Sequence, residues 1–227
     1  MSSRSDYFAL VRQRPQEFVN PQGAAFEILL EEGEIQRAEE QAGQRLVAAG
    51  LPPEWASVGV AFRDQYVTIL RDAVRYVDGT LGTYIRMWDS HPEFRGVVVL
   101  PVWQEKVLLV RHFRHATRAW HLEIPRGFGS SEDAASGARR ELEEEVGATV
   151  SRLVELGDVY PDAGAMGGRV ALFLGEVESY GDGEAKEGIT EILPTPVSEF
   201  ERMIAAGELT DGFLLAAYAR AKTRGLL

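Results

Sequence analysis

The sequence has no cysteine among its 227 residues. Disulfides, thiolate nucleophiles and zinc sites built from cysteine are therefore excluded, and a cytoplasmic location is expected. No apolar run reaches the length that spans a bilayer, and the N-terminal stretch MSSRSDYFALVRQRP lacks the apolar segment of a signal peptide. We therefore expect a protein that does not insert into a membrane.

Basic residues are scarce relative to acidic ones. The sequence has 24 Lys and Arg against 35 Asp and Glu, which gives a formal net charge of −11. An acidic chain repels phosphate backbones, so a nucleic-acid partner is disfavoured. The same charge suits an enzyme that holds divalent cations between its carboxylates and a phosphorylated small molecule.

Local patterns predict a mixture of helices and strands without internal repeats. A helix is expected over Ala24–Ala49, where Pro52 and Pro53 end it. Asp78-Gly79 predicts a hairpin turn within residues 60–90. Further strands are expected at Gly96–Val102, Lys106–Arg111, Leu153–Tyr160 and Arg169–Glu178.

Helices and an acidic loop complete the predicted order. A helix is expected from about Glu132 to Val146, with Ser131 as its N-cap and Gly147 just past its end. Ser179–Gly188 is acidic and glycine-rich, which is typical of a loop. Two short C-terminal helices are expected to begin at Ser198 and at Thr210-Asp211. The mixed order predicts an α/β fold, with a mixed sheet between helices.

The helix at 132–146 carries an unusual concentration of carboxylates. Its apolar stripe is formed by Ala135, Ala138, Leu142 and Val146, and the carboxylates beside the stripe belong to Glu141, Glu144 and Glu145. Carboxylates placed this closely repel one another unless cations lie between them. Hard cations such as Mg²⁺ prefer oxygen ligands, so the helix is a candidate metal site, the alternative being a solvated acidic face.

This helix resembles the signature of a known enzyme family. Residues 140–148 (RELEEEVGA) are similar to the R-E-U-x-E-E-x-G-U core of the Nudix box, where U is a bulky apolar residue. Glu132 stands at the required distance before Arg140. Two positions depart from the pattern: four residues rather than five separate Gly127 from Glu132, and Ala148 replaces a bulky residue. Neither departure removes a carboxylate.

Segments outside the box resemble the ADP-ribose pyrophosphatase branch of that family. Residues 121–127 (HLEIPRG) are similar to its E-L-P-A-G lead-in, with Arg126 in place of Ala, and residues 160–164 (YPDAG) are similar to its Y-P-S-P-G turn. The resemblance covers about residues 65–227. It implies an α/β Nudix fold over residues 58–227, preceded by an N-terminal helical extension over residues 1–57.

The resemblance also implies metal ligands. Glu141 and Glu145 are expected to bind a divalent metal, with Glu144 as a third ligand or a base. Glu123 and the backbone carbonyl of Arg126 are expected to hold a metal as well. Mg²⁺ is the expected ion and Mn²⁺ the alternative. The structural residues of the box are Gly127, Glu132, Arg140 and Gly147.

Arg140 and the general base have open alternatives. Arg140 either orients the box carboxylates or makes a surface pair with Glu144. In the branch, the base often comes from a loop after the box, and the matching segment is DGEAKEG at 182–188. We favour Glu187 as the base, with Glu184 and Glu191 as rivals, and the open alternative is an ordinary solvated loop.

Candidate substrate contacts lie around the box. Arg114 and Arg118 are candidates for phosphate binding, and Trp120 and Tyr160 for stacking on a base, the alternatives being surface cations and lining aromatics. His112, His115 and His121 indicate zinc only weakly.

The resemblance implies Mg²⁺-dependent hydrolysis of a nucleoside diphosphate sugar, ADP-ribose first, to AMP and a sugar phosphate. The alternatives are another nucleotide sugar, a dinucleoside polyphosphate, or a non-catalytic nucleotide-sensing module. The presence of all three box carboxylates argues against the last. Residues 60–90 are expected to form a homodimer element, because their strands have little sequence of their own to pack on.

Overall fold

The computed structural model describes residues 3–91, 95–128, 133–183 and 188–227. The chain divides into two units, one formed by residues 1–92 with 162–167 and the other by residues 93–161 with 168–227. Each described helix falls short of the length and apolar character needed to cross a membrane.

The first unit joins two helices to a four-stranded antiparallel sheet. Its elements are α1 (Arg4–Gln13), β1 (Phe26–Leu29), α2 (Glu32–Ala48), β2 (Gly59–Arg63), β3 (Val67–Tyr76) and β4 (Leu81–Asp89), with 3-10 turns at Pro15–Phe18 and Pro53–Ala56. Strand β3 is central: β4 pairs along one edge, and β1 and β2 share the other. The hairpin predicted around Asp78-Gly79 is confirmed as the β3–β4 turn.

Residues 1–57 pack against this sheet. Tyr7, Phe18 and Ile35 are buried in one core with Leu70 and Trp88 of the sheet. The premise that residues 60–90 have little to pack on is therefore wrong. The expected helix over Ala24–Ala49 is also wrong at its start, because Phe26–Leu29 pairs with β3 as a strand.

The second unit is a mixed sheet between helices. Its elements are β5 (Gly96–Trp103), β6 (Lys106–Arg114), β7 (Ala119–Glu123), β8 (Arg126–Gly127), α3 (Ala134–Val146), β9 (Thr149–Val159), β10 (Val170–Ser179), β11 (Ile189–Pro196), α4 (Val197–Ala205) and α5 (Gly212–Thr223). The main strand order is β11-β6-β5-β10-β9, and β10 is parallel to β5 whereas β9 and β11 pair antiparallel.

Alternate residues of the central strands face two separate cores. Val97 and Val99 pack in the core that contains Leu142 of α3. Val98 and Leu100 pack in the core that contains residues of α4 and α5. Because side chains alternate along a strand, one sheet fills both cores, which confirms the predicted α/β sandwich.

The sheet opens where the candidate site lies. Strands β5 and β6 pair only beside their hairpin turn, at Val102–Trp103 and Lys106–Val107. Farther along, β8 pairs with β5 and β7 pairs with β6. The segment from β7 to β8, which carries Glu123 and Gly127, therefore lies at the split.

Several predicted boundaries need correction. Helix α3 begins at Ala134 with Asp133 as its N-cap, while Ser131 and Glu132 lie outside the described residues. Helix α4 begins at Val197 without a side-chain cap, so the predicted cap at Ser198 is wrong. Helix α5 begins at Gly212 with Asp211 as its N-cap, which confirms the predicted start at Thr210-Asp211.

Candidate active site

Helix α3 is fixed at both ends by local hydrogen bonds. The Asp133 carboxylate accepts from the backbone N–H groups of Ala135 and Ser136. At the other end, Gly147 adopts a left-handed conformation with φ of 57°, and its N–H donates to carbonyls of the last turn. The predicted role of Gly147 as the residue after the helix is confirmed.

The helix divides its carboxylates between two environments. Leu142 and Val146 are fully buried against the sheet, and Glu141 and Glu145 are only 6% and 7% exposed. Glu143 and Glu144 face solvent. Glu141 and Glu145 are one turn apart, where like charges repel, so this buried pair is the part of the box most suited to a cation.

Gly127 leaves space that the Glu141 carboxylate occupies. A Cβ built at Gly127 would lie 2.1–2.2 Å from the carboxylate atoms of Glu141, far inside any tolerable contact. A side chain at this position would displace Glu141. The split sheet therefore provides a backbone cradle for one of the buried carboxylates.

Arg140 holds one buried and one exposed carboxylate. Its guanidinium lies 2.8 Å from Glu141 Oε1 and 2.9 Å from Glu144 Oε2. Burial acts to lower the Arg140 pKa, but the charges and hydrogen bonds of Glu141 and Glu144 outweigh it and raise the pKa above its usual value. Arg140 therefore makes both of the contacts that were expected as alternatives: it orients the buried Glu141, and it pairs with the exposed Glu144.

Glu123 is a buried carboxylate held by two arginines. It is 2% exposed. Arg114 donates to its Oε2 through Nε at 2.8 Å and Nη2 at 2.6 Å. Arg126 Nη2 lies 3.1 Å from the same oxygen. Within the described residues, every charged contact of Glu123 falls on Oε2, so Oε1 is the oxygen available to another partner.

Arg126 extends this network to α5. Its Nη1 donates to Asp211 Oδ2 at 2.9 Å, and its guanidinium lies 5.3 Å from the Phe213 ring centroid. The sequence did not predict this use of the side chain or any link to Asp211. No local signal reports it, because 85 positions separate the two residues along the chain.

The described residues offer a partial metal site. Among residues 3–91, 95–128, 133–183 and 188–227, no group of three or more His, Asp or Glu side chains forms a ready ligand set. The oxygens of Glu141 and Glu145 have the chemistry that a hard divalent cation requires. The cradle at Gly127 leaves room for the Glu141 carboxylate, which fits a role as a metal ligand. Glu123 could bind a cation only through Oε1, because its Oε2 is occupied by arginine.

The acidic loop leaves the sheet beside the end of α3. Gly181 N–H donates to Val146 O at 3.1 Å, and a Cβ at Gly183 would lie 1.9 Å from Glu145 O. The loop rejoins the sheet at Gly188, whose carbonyl accepts from Phe113 N–H at 3.0 Å. Glu184 and Glu187 lie outside the described residues. Their rival Glu191 is exposed on β11 and pairs with Arg111 at 3.0 Å.

Three of the four predicted substrate-binding residues lie on the β6–β7 hairpin, and the fourth lies after β9. Arg114 is engaged by Glu123, and the exposed Arg118 stacks 5.2 Å from the Phe113 ring centroid. Trp120 packs edge-on against the same ring and is half exposed. Arg118 and Trp120 therefore meet on the β6–β7 hairpin, whereas Tyr160, also half exposed, follows β9.

The three histidines have separate surroundings. His112 is buried, His115 Nδ1 lies 2.8 Å from Arg118 Nη1, and His121 Nε2 lies 2.6 Å from Thr117 Oγ1. Where the structure describes the chain, they form no common metal site.

Residues 92–204, about half of the chain, match the model of the NUDIX domain. The chain belongs to the Nudix family. This match and the intact acidic helix confirm the predicted family, and the protein is a Nudix pyrophosphohydrolase. As a group, Nudix hydrolases use divalent metal ions, which agrees with the carboxylates of α3.

The Nudix protein is also similar in fold to a solved structure described as the crystal structure of an ADP compounds hydrolase. The TM-score is 0.64 and the identity is 17%, over 75% of this chain and 95% of that chain. At this identity the likeness concerns the fold. Comparison with curated protein sequences gives no match.

Proposed function

We propose that this Nudix pyrophosphohydrolase cleaves the diphosphate of ADP-ribose, with water and Mg²⁺, to AMP and ribose 5-phosphate. The observation that carries the proposal is the buried pair Glu141 and Glu145 beside the Gly127 cradle. The substrate is supported by the sequence resemblance to the ADP-ribose pyrophosphatase branch and by the name of the structural neighbour, an ADP compounds hydrolase.

The metal ligands of the proposal are Glu141 and Glu145, joined by Glu144, by Glu123 through Oε1 and by the backbone carbonyl of Arg126. Bound Mg²⁺ neutralises the diphosphate and lowers the pKa of a coordinated water. Arg140 fixes Glu141 through their 2.8 Å ion pair, so that one carboxylate oxygen keeps its orientation. Arg114 of β6 and Arg126 of β8 likewise fix the orientation of Glu123 through ion pairs.

The general base of the proposal is Glu187. The loop that carries it departs beside Glu145, at Gly183, which supports its placement near the helix. Glu144 is the next candidate, because it is exposed on α3 and has a single described ion-pair partner, Arg140. Arg118 and Trp120, which meet on Phe113, are proposed to contact the substrate together with Arg114 and Tyr160.

The test is incubation of the purified chain with ADP-ribose and Mg²⁺, followed by separation of the nucleotides. We expect AMP and the sugar phosphate in equal amounts, and loss of activity when a chelator is added. Undiminished activity in excess chelator would contradict the metal-dependent proposal. If the enzyme cleaved a dinucleoside polyphosphate or another nucleotide sugar and left ADP-ribose intact, the proposed substrate would be wrong. The proposed metal-dependent hydrolysis of a diphosphate would still hold.

A homodimer is a separate proposal that rests on the family resemblance. The packing argument for it no longer applies, because residues 60–90 are covered by residues 1–57 of the same chain. Light scattering at micromolar concentration should give twice the chain mass of 25.1 kDa. A mass equal to that of a single chain would rule the dimer out.

A further inference from the structure

The first unit contains a cavity of about 280 Å³ that the Nudix chemistry does not use. It lies between α2, the 3-10 turn Pro53–Ala56 and the β3–β4 hairpin. The polar and aromatic side chains that line it belong to Arg45, Trp55, Arg71, Tyr76 and Thr83, and the remainder are aliphatic. The lining contains two guanidinium groups and no carboxylate.

Within the part of the chain that the structure describes, Arg71 has no carboxylate partner. Its side chain is partly buried, and its guanidinium makes no hydrogen bond or ion pair with the residues that the structure describes. Arg75, four positions along the same strand, pairs with both Glu27 and Glu34. Burial lowers the pKa of Arg71 because water is removed from the charged group. A buried charge of this kind is stabilised when an anion reaches it.

A second cation and two rings surround the same space. Arg45 Nη2 donates to the Leu81 carbonyl at 2.6 Å, which fixes the guanidinium and leaves its other N–H groups available. Trp55 is 54% exposed, although it stands at the mouth of a cavity. The Tyr76 ring is held edge-on by Phe26 at a centroid distance of 5.4 Å. Guanidinium groups bind anions through paired N–H donors, and aromatic rings stack on planar ligands.

We propose that this cavity binds a small anion that carries one aromatic ring. Arg71 and Arg45 would meet the anionic group, and Trp55 would stack on the ring. The volume lies just below the range of drug-sized ligand pockets, which favours a single ring over a dinucleotide. The anionic group is a phosphate or a carboxylate, and the proposal does not depend on the carboxylates of α3.

The four tryptophans make the site directly observable. The chain has Trp55, Trp88, Trp103 and Trp120, and only Trp55 lines this cavity. With 5-fluorotryptophan incorporated, each gives a separate ¹⁹F NMR signal, assigned by single Trp→Phe variants. Titration with phenyl phosphate and with benzoate should move the Trp55 signal saturably with at least one probe, and the stronger probe identifies the anionic group. Phenol, which is neutral at pH 7, should bind at least about tenfold more weakly.

Arg71→Met should weaken binding of the stronger probe by about tenfold or more, since a charged hydrogen-bond partner is lost. The matched control is Arg37→Met, which removes an exposed arginine from α2 and should leave binding unchanged. An unchanged Trp88 signal in the free variant shows that the unit is folded. If Arg71→Met does not fold, Arg45→Met takes its place with the same expected loss.

Three results would overturn the proposal. The first is a Trp55 signal that neither anion moves. The second is equal binding of phenol and the anions. The third is unchanged affinity in a folded Arg71→Met or Arg45→Met variant. Hydrolysis of ADP-ribose is unaffected by any of these outcomes, so failure here is distinct from failure of the proposed function.

Discussion

A buried carboxylate held by arginine occurs in both units of the molecule, and Asp72 of the first unit differs from Glu123 of the second in how its two oxygens are occupied. In the first unit, Asp72 is 1% exposed and both of its oxygens are occupied. Tyr7 donates to Oδ1 at 2.6 Å, and Arg86 donates to Oδ2 at 2.5 Å and to Oδ1 at 3.1 Å. In the second unit, Glu123 is equally buried but its described charged contacts all fall on Oε2.

The first network is closed around its carboxylate. Arg86 also donates to the Glu17 carbonyl and lies over the Phe18 and Trp88 rings, so it joins the N-terminal segment to the sheet. Burial, together with the charge of Asp72, raises the pKa of Tyr7 well above its usual value, which keeps the phenol a donor. The second network has one oxygen left over and lies beside the cradle of α3. Removing one partner from a buried ion pair is strongly destabilising, because the other charge is left buried without compensation. A carboxylate oxygen without a charged contact can still bind a ligand.

The largest effect is expected from opening the closed network. Asp72→Asn leaves the Arg86 charge without its partner, and we expect the free energy of unfolding to fall by about 3–5 kcal/mol. Urea denaturation measures this loss, with Glu40→Gln, an exposed change on α2, as the control. A loss below about 1 kcal/mol would mean that the Asp72–Arg86 pair contributes no more than an exposed salt bridge does.

In the candidate metal site of the second unit, a substitution should lower activity strongly and change stability little. Glu145→Gln should lower kcat by about two orders of magnitude, the scale of a lost charge contact in the transition state. Its melting temperature should change little, since Glu145 lies off the apolar stripe of α3. Glu143→Gln, on the exposed face of the same helix, should behave as the unmodified protein. Equal kcat values for the two variants would remove Glu145 from the metal site.

The same contrast explains what the sequence could predict. Helix α3 follows from local signals: an apolar stripe, adjacent carboxylates and Gly147. The burial of Glu141 and Glu145 follows from their position beside that stripe. By comparison, the strand Phe26–Leu29 lies next to a Glu- and Gln-rich helix, and only its pairing with distant β3 makes it a strand.

Non-local contacts account for the remaining differences. Strand β11 was not predicted, because Pro194 and Pro196 interrupt a strand-like pattern and the segment is ordered by its pairing with β6. The arginines on Glu123 depend on the register of β7 against β6 and on the position of Asp211, the N-cap of α5. Neither is encoded in spacing along the chain.

A smaller effect should separate metal binding from proton transfer. Glu187→Gln should lower kcat by about tenfold or more if Glu187 is the base, with metal affinity unchanged because α3 supplies the ligands. Glu184→Gln is the matched control from the same loop. If Glu184→Gln loses activity and Glu187→Gln does not, Glu184 is the base. If both variants are fully active, Glu144→Gln becomes the decisive variant.

The smallest effect compares one exposed carboxylate from each unit. Asp64 accepts from the backbone N–H groups of Tyr66 and Val67, both at 2.8 Å, between β2 and β3. Asp133 accepts from Ala135 and Ser136 at the start of α3, at 2.9 and 3.0 Å. Hydrogen bonds from Val67 and from Ser136, respectively, lower the pKa of each carboxyl.

A lowered pKa in the folded state means that each carboxylate stabilises the protein above its unfolded pKa of about 4, and that this stability is lost as pH falls through the folded pKa. Asp64→Ala and Asp133→Ala should each lower Tm by about 2–4 °C at pH 7. The difference from the unmodified protein should shrink at pH 3, as differential scanning calorimetry can measure. A difference as large at pH 3 as at pH 7 would mean that the charge is not responsible. Only Asp133→Ala should also reduce kcat, because it loosens the first turn of the helix that positions Glu141.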